Sequence, residues 1–259
     1  MDHQLPFSGK VVLVTGSDRG IGKAIALRFA QEGADLVINF MKNRAPAEEV
    51  AAQVKELGRR ALVVQANVAK PEDVDALFEA IDVEFSGLDI LINNAASGFN
   101  RPALQQKVMG WDWTMNVNAR AFLLTAQRAV PLMEKRGGGS MVAISSPGST
   151  RVMPDYIAVG ASKAALESLT RYLAVELAPK NIVVNAVSPS LVETDALKFF
   201  ASLSDPTTIP HAIANTPAGR LVTPQDVAGV VAFLCSPAAA MIRGQVILID
   251  GGYTLIVPR

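Results

Sequence analysis

The chain has 259 residues, half of them hydrophobic, which is enough to bury a sizeable core and to form one domain over residues 1–259. Its formal net charge is zero and it has no Lys/Arg block, which argues against nucleic-acid and membrane-surface binding. The single cysteine, Cys235, excludes an internal disulfide, and two histidines make a histidine-rich metal site hard to build. The polar N-terminus shows no signal-peptide pattern, so we expect a cytoplasmic protein. Because the histidines are so few, we expect no bound metal.

Short apolar runs rich in β-branched residues alternate with longer helical stretches along the chain. Such runs are typical of strands buried on both faces, and their separation by helices predicts parallel pairing with right-handed crossovers. The seven predicted strands are Lys10–Thr15, Asp35–Phe40, Ala61–Ala66, Asp89–Ile92, Ser140–Ser145, Ile182–Val187 and Gln245–Ile249. The sequence therefore predicts an α/β fold, a single doubly wound (Rossmann) domain with a seven-stranded parallel sheet and helices on both faces.

A glycine-rich turn connects the first predicted strand to the first helix. In a doubly wound fold this turn presents backbone N–H groups and a helix N-terminus to a pyrophosphate, and glycine lets the backbone approach the phosphates closely. A tight turn without a ligand is the alternative. The candidate cofactor-binding residues of the turn are Gly16, Ser17, Arg19, Gly20, Ile21 and Gly22.

The end of the second predicted strand carries no acidic residue that would bind a ribose 2′-hydroxyl. Lys42 and Arg44 follow this strand, and together with Arg19 they could neutralise a 2′-phosphate. The pattern therefore favours NADPH over NADH. The alternative is that Lys42 and Arg44 are only solvated loop residues.

Tyr156 and Lys163 are a candidate catalytic pair on a helix predicted from about Asp155 to Leu177. Seven residues are nearly two helical turns, so the two side chains would lie within roughly 20° of one face and about 10.5 Å apart along the axis. They can therefore serve one cleft, with Tyr156 in the first turn. From the residues alone, a packing tyrosine and a solvated lysine remain the alternative.

Two longer segments complete the prediction. A long helix is expected from Trp111 to Met133, after the fourth strand. The segment Ser188–Thr223 has no regular pattern and contains four prolines, which is typical of functional loops in compact domains. We therefore predict a substrate lid around residues 190–223.

An ordered set of motifs between about Lys10 and about Tyr253 resembles the short-chain dehydrogenase/reductase family. The set comprises the glycine turn, the Asn93-Asn94-Ala95-Ala96 segment, Asn118, Ser146 and Lys163. By this resemblance Asn94, Ala95 and Ala96 lie beside the cofactor, although Ala96 replaces the usual glycine. Asn67 and Val68 are similar to the family's Asp-Val at the adenine, and Thr194 is similar to a threonine that meets the cofactor.

The resemblance also implies roles in catalysis. Lys163 would hold the nicotinamide ribose hydroxyls, and its charge, with the helix dipole, would favour tyrosinate character at Tyr156. Ser146 would be a second donor, with a capping or turn serine as the alternative. Asn118 would support a water or a kink in the long helix, with a buried structural amide as the alternative.

The spacing between Tyr156 and Lys163 makes the chain similar to one branch of this family. The family usually has Tyr-x-x-x-Lys, but Val159 occupies that tyrosine position and Tyr156 lies three residues earlier. The chain thereby resembles the NADPH-dependent enoyl-acyl-carrier-protein reductases of type III. In reduction of a 2-enoyl thioester the hydride goes to C3 while charge collects on the thioester oxygen, three bonds away, so a displaced donor fits.

This resemblance implies a homotetramer acting in fatty-acid biosynthesis on an acyl-carrier-protein or coenzyme A thioester. A reductase of ketones, aldehydes or 3-oxoacyl groups is one alternative function. A catalytically silent NADP-binding protein, which Val159 permits, is the other.

Overall fold

Seven strands form one parallel sheet in the computed structural model, which describes residues 5–194 and 207–255. They are β1 (Val11–Val14), β2 (Asp35–Phe40), β3 (Ala61–Gln65), β4 (Ile90–Asn93), β5 (Gly139–Ile144), β6 (Ile182–Pro189) and β7 (Val246–Ile249). Their order across the sheet is β3-β2-β1-β4-β5-β6-β7. The predicted Rossmann-type domain is therefore confirmed, and each predicted strand lies within about two residues of the observed one.

Helices connect the strands and cover both faces of the sheet. They are α1 (Gly20–Gln31), α2 (Arg44–Glu56), α3 (Pro71–Phe85), α4 (Val108–Met115), α5 (Ala121–Glu134), α6 (Ile157–Glu176), α7 (Thr208–Ala214) and α8 (Pro224–Leu234). Helices α1, α2 and α8 pack on one face, whereas α3, α5 and α6 pack on the other. In the described residues, no helix is both long enough and apolar enough to cross a membrane.

Alternation along β1 shows why the sheet is apolar on both sides. Val12 and Val14 contribute to the core under α1, α2 and α8, whereas Val11 and Leu13 contribute to the core under α3, α5 and α6. All four side chains are buried, so β1 is covered on both faces. The chain winds outward from β1 to β3 and then crosses back to β4, which leaves a crevice at the carboxyl ends of β1 and β4.

The predicted helix Trp111–Met133 is instead two helices joined by a wider turn. Helix α4 ends at Met115, and the five residues Asn116–Arg120 form a π-helical turn before α5. Side-chain hydrogen bonds of the buried Asn118 hold this turn against neighbouring segments, as described below. Periodicity alone could not reveal it, because one extra residue in a turn leaves the apolar pattern nearly unchanged.

The predicted lid is partly outside the described residues. Around it, Val192 and Val222 form an isolated parallel bridge, and α7 lies within the segment. Residues 195–206 lie outside the described part of the chain. A lid over residues 190–223 therefore stays a prediction.

Candidate active site

The glycine turn after β1 has the backbone that its sequence requires. Gly16 and Gly20 have φ values of 61° and 54°, a region that favours glycine. A Cβ atom on Gly22 would lie 2.2 Å from the carbonyl oxygen of Gly16. Helix α1 begins at Gly20, so the N–H groups of Gly20, Ile21 and Gly22 have no partner within the helix. The turn therefore fits an anionic pyrophosphate.

Asn94 and Thr15 join this turn to the end of β4. The Asn94 side-chain amide donates hydrogen bonds to the carbonyl oxygens of Thr15 and Gly16, both at 2.9 Å. The backbone N–H groups of Asn94 and Ala95 donate in turn to the Thr15 hydroxyl, at 2.9 and 3.0 Å. Asn94 and Ala95 thus line the crevice beside the glycine turn, and the exposed Ala96 follows them.

Ser17 does not face the crevice as the sequence suggested. Its side chain is fully buried, its hydroxyl accepts a hydrogen bond from the backbone N–H of Asn39 at 3.1 Å, and its own N–H donates to the Asn39 carbonyl at 2.9 Å. The Asn39 side chain also accepts from the Gly16 N–H at 3.1 Å and donates to the Ala66 carbonyl at 3.1 Å. Ser17 and Asn39 therefore support the turn from behind, and cofactor binding by Ser17 stays a prediction.

Three basic residues were predicted to bind a 2′-phosphate, and they differ in their contacts. Arg19 is exposed at the N-cap of α1, and Lys42 is exposed after β2. Arg44 forms an ion pair with Glu48 at 2.9 Å and lies over the Phe40 ring at 5.4 Å. Arg19 and Lys42 form no ion pair within the part of the chain that the structure describes, so they are better placed than Arg44 to bind an anion.

The other expected cofactor neighbours are Asn67, Val68 and Thr194, and their side chains differ in burial and in contacts. The side-chain oxygen of Asn67 accepts a hydrogen bond from the Ala69 N–H at 3.0 Å, and its backbone N–H donates to Asp73. Val68 is buried in a small cluster, and its contact with an adenine stays a prediction. Thr194 lies at the glycine turn, since its methyl group would be 3.7 Å from a Cβ atom on Gly20.

Tyr156 lies at the start of α6 but not in its first turn. Asp155 has a φ of 60°, which no α-helical residue adopts, and the helix begins at Ile157 with Tyr156 as its N-cap. The predicted start at Asp155 is therefore wrong by two residues. The Tyr156 ring lies against Gly148, where a Cβ atom would be 2.7 Å from the ring carbons Cδ1 and Cε1.

Ser146 and Tyr156 are joined through their side chains by a hydrogen bond. Burial raises the pKa of the Tyr156 phenol above its ordinary value, and the Ser146 hydroxyl opposes this rise. The expected tyrosinate character is thus not favoured, and Tyr156 is protonated at neutral pH. The Ser146 hydroxyl also accepts from the Gly148 N–H at 3.3 Å, which is the contact of a turn serine, and its catalytic role stays a prediction.

Lys163 is buried and contacts the carboxyl end of β5. Its Nζ atom donates a hydrogen bond of 2.7 Å to the carbonyl oxygen of Ile144, the last residue of β5. Burial lowers the pKa of Lys163 to about 8, while the negative charge of Glu167 acts to raise it. The interpretation as a solvated helix lysine is therefore wrong.

Asn118 is fully buried and cannot touch a substrate. Its side-chain oxygen accepts from the Ser97 N–H at 2.8 Å, and its amide nitrogen donates to the Ser97 carbonyl and the Ser162 hydroxyl, both at 2.9 Å. These contacts match the alternative of a buried structural amide, and a catalytic role of Asn118 stays a prediction. Asn118 holds the segment after β4 against α6 and stabilises the π-helical turn.

Val159 fills the position where the family usually has its tyrosine. The side chain is only 5% exposed, and one of its methyl groups would be 2.2 Å from a Cβ atom on Gly98. A residue of any size at position 98 is therefore excluded while Val159 keeps its place. Val159 has no hydroxyl, whereas the Tyr156 hydroxyl is hydrogen-bonded to Ser146.

Sequence reasoning missed three polar residues behind this site. The buried Glu167 accepts hydrogen bonds from the hydroxyls of Ser145 and Ser149, at 2.5 and 2.6 Å. Glu167 lies four residues after Lys163, which places the two on one helix face. An acidic residue on the same helix stripe as the buried Leu166 and Thr170 was the available signal.

Similarity to known proteins extends over nearly the whole chain. A family model described as enoyl-(acyl carrier protein) reductase matches residues 16–254. The 1-cyclohexenylcarbonyl-CoA reductase of Streptomyces collinus is 39% identical over 249 residues, which are 96% of this chain and 88% of that protein. The hydroxynaphthalene reductase-like protein Arp2 of Metarhizium anisopliae is 38% identical over 255 residues, 95% of each chain.

Solved structures match just as completely. The complex of 7α-hydroxysteroid dehydrogenase with NADH and 7-oxo glycochenodeoxycholic acid has a TM-score of 0.91 at 34% identity and covers 96% of each chain. The complex of L-sorbose reductase from Gluconobacter frateurii with NADPH and L-sorbose has a TM-score of 0.91 at 33% identity. It covers 98% of this chain and 100% of that one.

Proposed function

Because this chain belongs to the short-chain dehydrogenase/reductase family of oxidoreductases, we propose that it reduces the carbon–carbon double bond of 2-enoyl thioesters with NADPH. The supporting observation is the pairing of Tyr156 with Ser146, combined with the burial of Val159 against Gly98. The hydroxyl donor of this site is thus displaced toward the start of α6, as a thioester oxygen remote from C3 requires.

Protonated Tyr156 suits this reaction. When bound, NADPH supplies the hydride that is added to C3 of the substrate. The Tyr156 hydroxyl would then donate a hydrogen bond to the thioester oxygen, where the negative charge of the enolate collects. Ser146 orients that hydroxyl, and C2 takes up a proton, so that a saturated thioester leaves. A pKa raised by burial keeps Tyr156 a donor throughout the neutral range.

The cofactor proposal depends on charge at the end of β2. Exposed Arg19 and Lys42, and the absence of a carboxylate among Asn39, Phe40 and Met41, favour a phosphate over a free 2′-hydroxyl. The amide of Asn39 is occupied by the glycine turn and by the Ala66 carbonyl, so it is not free to replace a carboxylate. We therefore propose that NADPH binds more tightly than NADH.

Carbonyl reduction is the competing function, and relatives support it by name. The chloroplastic protein of Arabidopsis thaliana named NADPH-dependent aldehyde reductase-like is 35% identical over 263 residues, 96% of each chain. The Streptomyces relative, in contrast, is named for a coenzyme A thioester with a carbon–carbon double bond beside the carbonyl. That name favours a coenzyme A thioester, although acyl carrier protein remains a proposed carrier.

Cofactor absorbance tests the proposal directly. Purified protein is mixed with NADPH or NADH and with a trans-2-enoyl-CoA, the matching 3-oxoacyl-CoA, or the same enoyl group on acyl carrier protein. We expect oxidation of NADPH with the enoyl thioesters and a loss of about 100-fold or more in kcat for Tyr156→Phe, with an unchanged Kd for NADPH. Tyr172→Phe, an exposed tyrosine farther along α6, is the matched control.

Other results would decide between the alternatives. Oxidation with 3-oxoacyl-CoA but not with the enoyl thioesters would make the chain a carbonyl reductase. NADPH binding without oxidation of any substrate would support a silent binding protein. Full activity of Tyr156→Phe would mean that another group is the donor.

The assembly and the compartment are part of the same proposal. We propose a cytoplasmic homotetramer, as the resemblance implies. Light scattering on the purified protein tests the tetramer, since a mass near 27.4 kDa would contradict it.

A further inference from the structure

Three consecutive residues at the carboxyl end of β5 each form a hydrogen bond with a residue of α6 or with its N-cap. The Ile144 carbonyl accepts from Lys163, the Ser145 hydroxyl donates to Glu167, and the Ser146 hydroxyl is bonded to Tyr156. The candidate catalytic residues are therefore part of one continuous seam between strand and helix. Glu167 is the member of this seam to which the mechanism above assigns no role.

Two hydroxyl groups hold the side chain of Glu167. Its side chain is buried, yet the hydroxyls of Ser145 and Ser149 both donate to its Oε1 atom, at 2.5 and 2.6 Å. Two donors on one oxygen match an acceptor-only group. Because isolated buried charge is costly, a carboxylate in this position implies an opposite charge nearby.

Lys163 is the buried cation near Glu167. It lies one helical turn earlier on the same face of α6, and the negative charge of Glu167 raises the pKa of Lys163 against the larger effect of burial. Tyr156 also faces this seam. The titratable groups on the elements packed against α6 are exposed at the surface, and these are Asp112, Arg120, Arg128, Glu134 and Lys180.

We propose that Glu167 is the buried counter-charge that keeps Lys163 protonated, and that Ser145 and Ser149 fix the carboxylate for this purpose. Glu167 is thus a positioning residue that acts through Lys163 and touches neither cofactor nor substrate. The inference depends on the role of Lys163 in cofactor binding that the proposed function includes. It does not depend on the substrate.

The pH dependence of NADPH binding is the test, followed by cofactor fluorescence without a substrate. In the unmodified protein, the affinity should fall as the pH rises through about 8, because Lys163 then loses its charge. In Glu167→Gln this fall should move to lower pH, because the charge that raises the pKa of Lys163 is gone. At pH 7.5 we expect a Kd about three- to tenfold higher than in the unmodified protein, as one pKa unit is a factor of ten.

Two further variants separate charge from structure. Glu176→Gln makes the same change at an exposed position of α6 and should leave the pH profile in place. The triple variant Ser145→Ala, Ser149→Ala, Glu167→Met removes the charge without leaving an unpaired hydroxyl. It should show the same shift as Glu167→Gln, and it keeps the test available if that single variant does not fold.

The outcomes are distinct from those of the proposed function. A pH profile of Glu167→Gln, or of the folded triple variant, that coincides with the unmodified one would overturn the counter-charge role. So would an affinity that is independent of pH in the unmodified protein. Failure to reduce enoyl thioesters, with NADPH bound as described, would overturn the proposed function alone.

Discussion

Gly148 determines where the Tyr156 ring can lie. The glycine belongs to the short 3-10 turn Pro147–Ser149, and its φ is not in the positive region, so alanine is compatible with its backbone. Only the space is missing, because a Cβ atom would be 2.7 Å from two ring carbons. A methyl group at position 148 must therefore displace the ring.

We expect Gly148→Ala to lower kcat/KM for an enoyl thioester by about 10- to 100-fold, because small displacements of a catalytic group are costly. The Kd for NADPH should stay within about twofold, since the ring and not the glycine turn moves. Steady-state kinetics and cofactor fluorescence measure the two quantities.

Gly229→Ala is the control for this change. Gly229 lies inside α8, where a Cβ atom would meet nothing within 4 Å. Alanine there should raise the free energy of unfolding by about 0.5–1 kcal/mol and leave kinetics unchanged. Unchanged kinetics in Gly148→Ala as well would contradict a positioning role for Gly148.

At the scale of single residues, sequence reasoning found side chains that are related by their spacing along one helix. Tyr156 and Lys163 were identified from their spacing, whereas Glu167 was missed because its partners Ser145 and Ser149 come from the segment that follows β5. The orientation of the Ser17 side chain was missed for a related reason. Which way a turn residue points depends on the neighbouring strand that carries Asn39.

Among the elements, α8 begins with a complete capping box. The Thr223 hydroxyl accepts from the Asp226 N–H at 3.2 Å, and the Asp226 carboxylate accepts from the Thr223 N–H at 2.8 Å. Arg220 binds both carboxylate oxygens, at 2.5 and 2.9 Å. The Arg220 hydrogen bond, aided by Thr223, holds the pKa of Asp226 well below its ordinary value of 3.8.

The direction of this pKa change defines a pH-dependent stability. A carboxyl group with a lowered pKa in the folded protein stabilises it fully above about pH 4, and the contribution is lost as the pH falls below that value. Because Arg220 and Asp226 are 57% and 32% exposed, we expect Asp226→Asn to cost only about 1 kcal/mol at pH 7. The cost should shrink steadily as the pH falls from 4 to 2, because the unfolded chain takes up the proton first.

Urea unfolding of Asp226→Asn at several pH values measures this difference. Glu49→Gln, at an exposed position of α2, is the comparison and should change the free energy of unfolding by less than about 0.5 kcal/mol. An equal cost of Asp226→Asn at pH 7 and pH 2 would mean that the charge contributes nothing.

Helix boundaries differ in how far the sequence determines them. The starts of α3 and α8 follow from Pro71 and Pro224 with acidic residues after them, a local signal. The π-helical turn has no local signal, because it depends on contacts of Asn118 with Ser97 and Ser162. Long-range hydrogen bonds of this kind are invisible to periodicity.

For the whole molecule, the residues that we expect to affect stability and those that we expect to affect activity lie at opposite ends of the strands. Asp89 lies just before β4, at the amino ends of the strands and away from the glycine turn. Its buried carboxylate accepts from the Val11 N–H at 2.9 Å and from Lys10 at 3.0 Å. It thereby joins the starts of β1 and β4.

Asp89→Ala should therefore destabilise the fold without affecting the site. Loss of the acceptor leaves the Val11 N–H buried and unpaired, which costs about 1–3 kcal/mol in the free energy of unfolding. The Kd for NADPH should stay within about twofold. Lys10→Ala, which removes only the half-exposed partner, should cost less than about 1 kcal/mol. A large change in Kd for Asp89→Ala would contradict this separation.

The fold was predictable as a whole because each strand contains a run of apolar residues and each connection contains a helix. The β-branched run Val11–Val14 needs no partner to be recognised as a buried strand. The contents of residues 190–223 were not predictable in the same way, since α7 is too short for its periodicity to stand out.

The central position of β1 has a consequence for the growing chain. Its first neighbour, β2, is made soon afterwards, but its second neighbour, β4, is made only when residue 93 has been synthesised. Helix α1, which carries the glycine turn, waits even longer, because it packs on α8 at residues 224–234. A nascent chain on the ribosome therefore keeps one edge of β1 open until β4 is made, and keeps the face of α1 uncovered until α8 is made near the end of synthesis.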